Sequence, residues 1–348
     1  MTTPAARYAL LALPHANRVY RAVAPGLALA ELRILVGGLL GGRLREAGWG
    51  VRAGVPYLWF AADDLGPDDL AVLGHLSVFY ALFEDLGDAL RPVEVPPAER
   101  LDDDLVTVQK YAGKTNEQFT RLLLNVTVAS SGAAEQLTSG GLVVLDPLCG
   151  RGTTLNQALL TGHDAVGVEH DGKDVDAYGT FLRTWLERHR LKHKVTSGPV
   201  RRSGVLLGRR FEAEFAATKE LYRAGSLQKV TAVHADTLRT ADFVRRASVD
   251  VVVTDAPYGV QHGSRSATGR ARSPVELLEQ ALPVWVPLLR PGGAVGIAWN
   301  THVAPRAQLV HLLAAAGLEP LDEGPYRELA HRVDASIVRD VVVGRLPE

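Results

Sequence analysis

The sequence is poor in cysteine and has no long apolar run, and each shortage excludes a class of protein. Cys149 is the only cysteine among 348 residues, which excludes an intramolecular disulfide and a cysteine-rich zinc module. Glycine, proline or charge interrupts each apolar tract well before the roughly 20 residues that a membrane span needs, so no membrane partner is expected. Residues 1–4 are not a basic region followed by an apolar core, so we expect no signal peptide and a cytoplasmic protein.

An excess of charge of one sign is also absent. The 38 Lys and Arg nearly balance the 39 Asp and Glu, so any contact with a polyanion must come from a local surface. His189 and His193 are one helical turn apart, but no cysteine or acid nearby in the sequence completes a ligand set, so no metal is expected. With 47% hydrophobic residues the chain has enough apolar material for a sizeable core, and its length suits two domains.

The first part of the chain alternates strands and helices and is expected to form a small α+β unit of the ferredoxin-like kind. Strands are predicted at residues 8–13, 57–61 and 77–83, and helices at residues 27–40 and from Pro67 onward. A stretch rich in proline and charge follows, and it suggests where the chain divides. We therefore expect an N-terminal domain at 1–95, a linker at 96–112 and a second domain at 113–348 with a basic insertion at about 190–228.

The second part repeats strand–helix units, which predicts a Rossmann-like α/β domain with a parallel sheet covered on both faces. Predicted strands lie at 142–145, 165–168, 229–233, 249–254 and 294–299, with a final hairpin between 319 and 343. Predicted helices lie at 116–129, 154–161, 175–189, 275–289 and 304–316. Ligands of such sheets bind at the carboxyl ends of the strands, so the site is expected along that edge.

Residues 146–154, DPLCGRGTT, form a glycine turn that leaves a predicted strand at this edge and enters a helix. Gly150 and Gly152 lack a Cβ, which allows a ligand group to approach the backbone closely. The dinucleotide motif needs a third glycine or alanine, and Leu155 stands there instead, so NAD is disfavoured. The turn therefore predicts a nucleotide-like cofactor other than NAD, with Cys149 as a small packing residue rather than a nucleophile.

Hydroxyls and acids around the turn complete the expected cofactor site. The hydroxyls of Thr153 and Thr154 are expected to cap the helix that follows, whose N-terminus suits a carboxylate. Glu169 ends the next strand, where an acid accepts hydrogen bonds from ribose hydroxyls. Asp236 follows a later strand and is expected to bind an adenine amino group, the alternative being an ordinary loop acid.

Residues 255–258, Asp-Ala-Pro-Tyr, form an acidic and aromatic loop after another apolar run. Acceptors on the two N–H bonds of an exocyclic amine can orient its lone pair toward an electrophilic methyl group. The Asp255 carboxylate and the Ala256 carbonyl are the predicted acceptors, with Pro257 holding Ala256 extended. Tyr258 is expected to stack on a base taken out of its stack or already single-stranded. An ordinary acidic turn before a proline is the alternative.

These motifs resemble those of the class I, S-adenosylmethionine-dependent amino-methyltransferases, and within them the archaeal and eukaryotic tRNA guanosine N2-methyltransferases. Residues 146–154 match the family's cofactor motif, and residues 255–259 match its Asp-Pro-Pro-Tyr-Gly motif with Ala256 in place of a proline. Residues 113–119 resemble the segment that closes over the cofactor. The tRNA family also carries a THUMP module for RNA binding, and residues 84–110 are too short to hold one.

The residues and the resemblance together define the expected site, whose cofactor is S-adenosylmethionine. The catalytic candidates are Asp255, Ala256, Pro257 and Tyr258. The cofactor-binding candidates are Lys114, Thr115, Asp146, Pro147, Cys149, Gly150, Gly152, Thr153, Thr154, Glu169, His170, Asp236, Thr237 and Asp255.

Two basic segments are expected to bind a nucleic acid, with RNA favoured over DNA. Residues 183–210 carry nine Lys and Arg against the single acid Glu187, and such a patch can follow phosphates. The alternative there is a solvated helix end and loop. Residues 265–272 are basic and rich in small residues, which suits a substrate lid or an inert surface loop. The sequence does not determine the oligomeric state, and a homodimer is one of the alternatives.

The predicted reaction is methyl transfer from S-adenosylmethionine to an exocyclic nitrogen of a nucleobase, with guanosine N2 in RNA as the first choice. The alternatives are DNA adenine-N6 or cytosine-N4 methylation, methylation of a small molecule or peptide, and a cofactor-binding subunit without activity of its own.

Overall fold

The computed structural model describes residues 5–111, 113–257 and 273–348. The strands are β1 Ala6–Ala12, β2 Leu44–Arg52, β3 Val55–Ala62, β4 Phe79–Asp85, β5 Leu90–Val93, β6 Val143–Asp146, β7 Asp164–Glu169, β8 His193–Arg202, β9 Val205–Phe215, β10 Gln228–His234, β11 Val249–Asp255, β12 Leu289–Asn300, β13 Glu319–Leu321, β14 His331–Arg332 and β15 Val338–Arg345. The α-helices are α1 Arg18–Gly38, α2 Pro67–Gly74, α3 Asp104–Thr107, α4 Glu117–Ala129, α5 Gln136–Ser139, α6 Thr153–Leu160, α7 Gly172–Arg188, α8 Lys219–Arg223, α9 Pro274–Trp285 and α10 Arg306–Ala315, and 3₁₀ helices span Thr237–Asp242, Val286–Leu288 and Gly324–Glu328. Within these described ranges, no helix is both long enough and apolar enough to cross a membrane.

The N-terminal unit is an antiparallel sheet with the strand order β2-β3-β1-β4-β5, in which α1 and α2 make the connections. The order β2-β3-β1-β4 is that of a ferredoxin-like fold, so the predicted fold class is confirmed, with β5 added at one edge. The strand β2, Leu44–Arg52, was not predicted from the sequence. The helix predicted from residue 27 begins at Arg18, after Asn17 has capped it by accepting from the backbone N–H of Val19 at 2.8 Å. Pro25 hid this start because proline usually ends a helix rather than lying inside one.

The second unit is built on a sheet with the strand order β13-β15-β12-β11-β6-β7-β10-β9-β8. The pairs β12–β11, β11–β6, β6–β7 and β7–β10 are parallel, while β15 runs antiparallel to β12 and β13. This arrangement confirms the predicted Rossmann-like α/β sheet. Its central strand β11 is buried at every residue from Val249 to Thr254, as expected of a strand covered on both faces. The helix predicted at 275–289 ends earlier, at Trp285, because a 3₁₀ turn and the start of β12 take its last residues.

The basic insertion forms a hairpin, β8–β9, that extends the sheet antiparallel to β10. Neither strand was predicted: β8 and β9 occupy most of residues 183–210, where the alternative interpretation placed a helix end and a loop. Phe211, Ala213 and Phe215 alternate along β9 and are buried, which is the period of a half-buried strand. Gly198 and Pro199 in β8 concealed the pattern, because both residues are rare inside strands.

The two units share a continuous hydrophobic core, in which α1 packs against α4. A buried polar contact stands inside this junction. The Glu31 side chain on α1 is fully buried and accepts hydrogen bonds from the Ser77 backbone N–H at 3.1 Å, from the Ser77 hydroxyl and from Asn125 Nδ2 at 2.8 Å. Burial raises the pKa of this carboxyl, and the Ser77 and Asn125 hydrogen bonds lower it. Glu31 therefore connects the N-terminal unit to α4 of the second unit.

The segment predicted as a linker, residues 96–112, is described up to residue 111, and this part packs on the helices of the second unit. The Arg100 N–H donates to the Leu160 carbonyl at the end of α6 at 2.8 Å. Leu105 in α3 is fully buried, and its carbonyl accepts from Asn156 Nδ2 at 3.2 Å. The segment between the two units is therefore packed against α6 and is not a free linker.

Removal of the Glu31 carboxyl should destabilise the junction between the units. In Glu31→Ala the Ser77 N–H and the Asn125 amide lose an acceptor inside the protein, and each such loss costs about 1–3 kcal/mol. We expect the free energy of unfolding, measured by urea denaturation at pH 7, to fall by about 2–4 kcal/mol. Glu31→Gln retains an accepting carbonyl and serves as the control, with a loss of less than about 1 kcal/mol. Equal losses in the two variants would contradict this role of the carboxyl oxygens.

A buried histidine should make stability depend on pH. His163 is fully buried, and burial lowers its pKa from 6.5 to about 4, with the nearby Arg100 acting in the same direction. The folded protein keeps the ring neutral while the unfolded chain binds a proton below pH 6.5, so stability is lost as the pH falls from 6.5 toward 4.

The change His163→Leu removes this linkage. Between pH 6 and pH 5 the wild-type protein should lose about 1 kcal/mol more free energy of unfolding than the variant. Urea unfolding curves at pH 7, 6 and 5 measure the difference. His311→Leu is the control and should keep the wild-type slope, because His311 is exposed on α10 and hydrated in both states. Parallel slopes for the wild type and His163→Leu would disprove the prediction.

Candidate functional site

The two sequence motifs lie side by side because β6 and β11 are parallel neighbours that end at the same edge of the sheet. The Thr254 hydroxyl at the end of β11 donates to Asp146 Oδ1 at 2.8 Å, and the Leu148 N–H donates to the same oxygen at 3.1 Å. Asp146 is only 3% exposed, and burial raises the pKa of its carboxyl to about 6, against the lowering effect of the Thr154 and Thr254 hydrogen bonds. Through these two hydrogen bonds the buried Asp146 carboxyl links the glycine turn to the end of β11.

The two glycines of the turn serve different purposes. Both have positive φ, +50° at Gly150 and +80° at Gly152, which favours glycine over other residues. A Cβ on Gly152 would collide with the ring of Tyr178 on α7, so packing alone already requires glycine there. A Cβ on Gly150 would meet no described atom within 4 Å, which leaves room for a ligand on that side.

The predicted capping of the helix after the turn is wrong. Gly152 occupies the N-cap position of α6, and no described side chain caps it. Thr153 instead exchanges a hydrogen bond with the hydroxyl of Tyr111, 2.7 Å between the oxygens, while Thr154 hydrogen-bonds to Asp146. Both hydroxyls are therefore drawn to neighbouring segments and away from the first turn of α6.

Cys149, within the turn, is enclosed by the protein. Its thiol is buried, and burial raises its pKa well above the usual range. A thiol in that state is not a nucleophile at neutral pH, because the reactive form is the thiolate. Its position agrees with a packing function, next to Pro147, which is also buried.

The other cofactor candidates follow the ends of the neighbouring strands β7 and β10. Glu169 ends β7, and its carboxylate accepts from the Gly150 N–H at 2.9 Å and from the Asp171 N–H at 2.8 Å. The next residue, His170, is exposed. Asp236 follows β10 and accepts from the Leu238 N–H at 2.9 Å as the N-cap of a 3₁₀ helix. The glycine turn, Glu169 and Asp236 thus lie on three consecutive strands of the sheet.

Thr237, beside Asp236, belongs to the protein interior. It is 4% exposed, and its hydroxyl accepts from the indole N–H of Trp285 at 3.1 Å. The contact fixes the loop after β10 against α9.

Asp255, the central catalytic candidate, is held by two side chains from distant parts of the chain. The Thr115 hydroxyl donates to Asp255 Oδ2 at 2.7 Å, and the Arg339 guanidinium lies 3.3 Å from the same oxygen. Arg339 is 4% exposed and lies over the ring of Phe119, 4.4 Å from its centroid. Arg339 was not predicted, although an arginine next to the valines of a buried strand is a signal that could have marked it.

The rest of the Asp-Ala-Pro-Tyr loop is described in part. The Ala256 N–H donates to the Ala298 carbonyl of β12 at 2.8 Å, so the backbone continues the sheet ladder up to the loop. Pro257 is the last residue described there. Tyr258 and the basic segment at 265–272 lie outside the described residues, so their predicted functions stay predictions.

Lys114 and Thr115, predicted to bind the cofactor, line a cavity of about 240 Å³ between the two units. We call it the junction cavity. Its walls come from α1 and the residues before it, from the chain before α4, and from the hairpin β14–β15. They consist of His15, Asn17 and Tyr20, residues 114–117, residues 331–333 and Arg339. Because Thr115 and Arg339 both contact Asp255, the cavity adjoins the catalytic candidate.

The nine basic residues predicted to bind nucleic acid are all exposed, but they do not form one stripe. Side chains alternate along β9, so Arg209 lies on the face of Phe211 while Arg210 points to the opposite face. Arg209 pairs with Asp176 on α7 at 3.4 Å. A groove of about 320 Å³ between α7 and the hairpin is lined in part by Arg183 and Arg209.

His189 does have acidic neighbours, contrary to the expectation from the sequence. His189 Nε2 lies 3.1 Å from Asp104 Oδ2, and Asp102, Asp104 and His189 each place one ligand atom within 4.8 Å of the others. The acids belong to the segment around α3, far away in the sequence, so local spacing did not show them. Asp104 also accepts from the indole N–H of Trp185, which attaches α3 to α7.

Solved structures with detectable similarity include several methyltransferases. A TehB-like SAM-dependent methyltransferase from Corynebacterium glutamicum is 16% identical, with 60% of this chain and 81% of that chain covered and a TM-score of 0.34. A 16S rRNA methyltransferase of T. thermophilus, solved with AdoMet and guanosine, is 15% identical, with 88% and 59% covered and a TM-score of 0.37. The 1,6-didemethyltoxoflavin-N1-methyltransferase of Burkholderia thailandensis is 16% identical, with 69% and 94% covered and a TM-score of 0.35. These values are too low to assign a substrate.

A family model supplies the assignment. A search of curated proteins finds no match to this chain. Residues 124–302, more than half of the chain, match the model described as RMKL-like, methyltransferase domain. The matched region contains the glycine turn, Glu169, Asp236 and Asp255. The match confirms the prediction of a class I methyltransferase with S-adenosylmethionine as its cofactor. The chain belongs to the RMKL-like methyltransferase domain family.

Proposed function

We propose that this methyltransferase acts on an exocyclic amino nitrogen of a nucleobase, with guanosine N2 in RNA as the first candidate. The observation that carries the proposal is the position of Asp255. Its carboxylate stands at the end of β11, the neighbour of the strand that leads into the glycine turn. An acceptor at this place can orient an amine beside the cofactor, which is what methyl transfer to a delocalised nitrogen requires.

The residues around the turn fit the cofactor. The open space beside Gly150 admits a ligand group close to the backbone, and the Glu169 carboxylate stands next to it, 2.9 Å from the Gly150 nitrogen. Each carboxylate oxygen can accept more than one hydrogen bond, so Glu169 can bind ribose hydroxyls and keep this contact. When bound, S-adenosylmethionine supplies an electrophilic methyl group on a sulfonium, which becomes a neutral thioether as the methyl leaves.

The chain would then act by orienting the amine and removing its proton. Asp255 and the Ala256 carbonyl would accept the two N–H bonds and direct the nitrogen lone pair at the methyl group. The N–C bond would form as the S–C bond breaks, and the surplus proton of the nitrogen would pass to Asp255 or to water. Thr115 and Arg339 keep the carboxylate in place during this step, through their contacts with Oδ2. A fixed acceptor is effective because little reorganisation is needed during the reaction.

The proposed nucleic-acid partner rests on the exposed basic residues around the hairpin β8–β9 and on the groove that Arg183 and Arg209 line. Arg202, Arg209 and Arg210 pair with Asp242, Asp176 and Glu212, which reduces the positive charge that this surface offers to phosphates. The preference for RNA, the cytoplasmic location and the alternative of a homodimer remain predictions from the sequence.

The experiment that tests the function is a nucleoside analysis. The purified protein is incubated with S-adenosylmethionine and with tRNA, rRNA or genomic DNA, and the digested nucleosides are examined by mass spectrometry. N2-methylguanosine from RNA is the expected product. N6-methyladenine or N4-methylcytosine from DNA would assign the substrate to DNA. Transfer to neither nucleic acid, by a protein that binds the cofactor, would refute the proposal.

Neutralising Asp255 should abolish most of the methyl transfer without loss of cofactor. In Asp255→Asn the charged acceptor disappears, and loss of one such preorganised group lowers kcat by about 10²–10³-fold. We expect the dissociation constant for S-adenosylmethionine, measured by calorimetry, to stay within about three-fold of the wild-type value, a change well under 1 kcal/mol. The exposed Asp88→Asn in the N-terminal unit is the control and should retain full activity. Full activity of Asp255→Asn would refute the assigned function of the carboxylate.

Neutralising Glu169 should weaken cofactor binding itself. A hydrogen bond to a charged group is worth about 1.5–3 kcal/mol, so Glu169→Gln should raise the dissociation constant for S-adenosylmethionine about 10- to 100-fold. Calorimetry measures this without any substrate. Glu187→Gln is the matched control, because Glu187 is exposed on α7. An unchanged affinity in folded Glu169→Gln would show that Glu169 does not contact the cofactor.

A further inference from the structure

We propose that the junction cavity binds a phosphate group of the target nucleotide, so that the substrate is a nucleotide and not a free base or nucleoside. The inference rests on the proposed function, which says that the substrate carries a nucleobase. It adds the residues that would bind the phosphate of that substrate. It also assigns a task to the N-terminal unit, which supplies one wall of the cavity.

The first reason is position. Thr115 and Arg339 line the junction cavity and both contact Asp255 Oδ2, at 2.7 and 3.3 Å. The cavity and Asp255 therefore share a wall. A base whose amino group reaches Asp255 carries its sugar and phosphate a short covalent distance away, and the cavity is an adjoining space of about 240 Å³.

The second reason is charge. Three of the lining residues are cationic, Lys114, Arg332 and Arg339, against a single acid, Glu117. Lys114 Nζ lies 3.7 Å from the Glu117 carboxylate, and the Arg339 guanidinium lies 3.3 Å from Asp255 Oδ2. These two pairs leave the positive charge of Arg332 without a counter-ion among the described lining residues, and this surplus charge favours an anion.

Arg332 is the most suitable of these cations for a ligand from solvent. It is exposed, and its described hydrogen bond, from Nε to the Asp334 carbonyl at 2.9 Å, uses one of the five donors of the guanidinium. The planar guanidinium offers paired N–H groups that match two oxygens of a phosphate. Arg332 is not in contact with Asp255 in the described structure, so it can be changed without altering the catalytic carboxylate.

The third reason is a buried hydroxyl on the N-terminal side. Tyr20 lines the cavity and is 6% exposed, yet its hydroxyl has no hydrogen-bond partner among the described residues. A buried polar group without a partner costs free energy, and such groups are rare in native proteins. Burial raises the pKa of Tyr20, so the group stays an O–H donor. A phosphate oxygen is an acceptor that would satisfy it.

His331 offers a hydrogen-bond acceptor that a sugar hydroxyl of a nucleotide could meet. Its Nδ1 lies 3.0 Å from the Leu329 carbonyl, which can only accept, so Nδ1 carries the proton. In the neutral ring Nε2 is therefore an acceptor, and it too has no partner among the residues described. A sugar hydroxyl is a donor of the required kind, and a nucleotide carries one next to its phosphate.

The test compares two ligands that differ only in the phosphate. Guanosine 5′-monophosphate and guanosine are titrated into the full-length protein with S-adenosylhomocysteine present, and binding is followed by calorimetry. The wild-type protein should bind the monophosphate at least ten-fold more tightly. Arg332→Gln should reduce this preference about ten-fold, and Tyr20→Phe about three-fold, with the affinity for guanosine unchanged. Arg327→Gln, an exposed arginine outside the cavity, is the matched control and should keep the full preference.

Competition identifies the anion. Inorganic phosphate should displace the monophosphate, and acetate at the same concentration should not. Equal affinities for the two guanosine ligands, no detectable binding of the monophosphate, equal effects of Arg332→Gln and Arg327→Gln, or competition by acetate as strong as by phosphate would each overturn the proposal. These readouts need no methyl transfer. Binding of the monophosphate without methylation of any nucleic acid would therefore refute the proposed function and leave the phosphate site standing.

Discussion

The site depends on the parallel pairing of β6 with β11 and on the buried hydrogen bond from Thr254 to Asp146 that joins their ends. The glycine turn and the Asp255 loop belong to separate parts of the sequence, and this pairing brings both to one edge of the sheet. Since a hydrogen bond to a buried carboxyl is costly to lose, Asp146 restrains two loops at once. The cofactor side and the catalytic side therefore keep a fixed relation to each other.

The N-terminal unit packs directly against the unit that carries the site. Its helix α1 shares a hydrophobic core with α4, and Glu31 accepts hydrogen bonds from both sides of the junction. The chain before α4 then brings Thr115 to Asp255, while α1 brings Tyr20 to the junction cavity. Packing between the units thus shapes the space next to the catalytic candidate. The ferredoxin-like unit supplies one wall of the junction cavity, next to Asp255.

Much of the sheet could be predicted because buried parallel strands have a simple pattern. The strands that lead to the glycine turn, Glu169 and Asp255 were located within a few residues, since apolar runs and glycine turns are local properties. The hairpin β8–β9 was missed because Gly198 and Pro199 disrupt its pattern. The capping by Thr153 and Thr154 was wrong because Tyr111 and Asp146 compete for these hydroxyls, and no local rule describes such competition.

The class of chemistry could be predicted from local features of the chain. A glycine turn after a strand and an acid before Ala-Pro impose local backbone and side-chain requirements that can be recognised without a fold. The surroundings of Asp255 could not be predicted, because they depend on tertiary packing. Arg339 and Thr115 reach its carboxylate from opposite ends of the second unit, and Tyr20 and Arg332 meet at one cavity. Spacing along the chain carries no information about such contacts, because they arise from the packing of helices and strands that are distant in sequence.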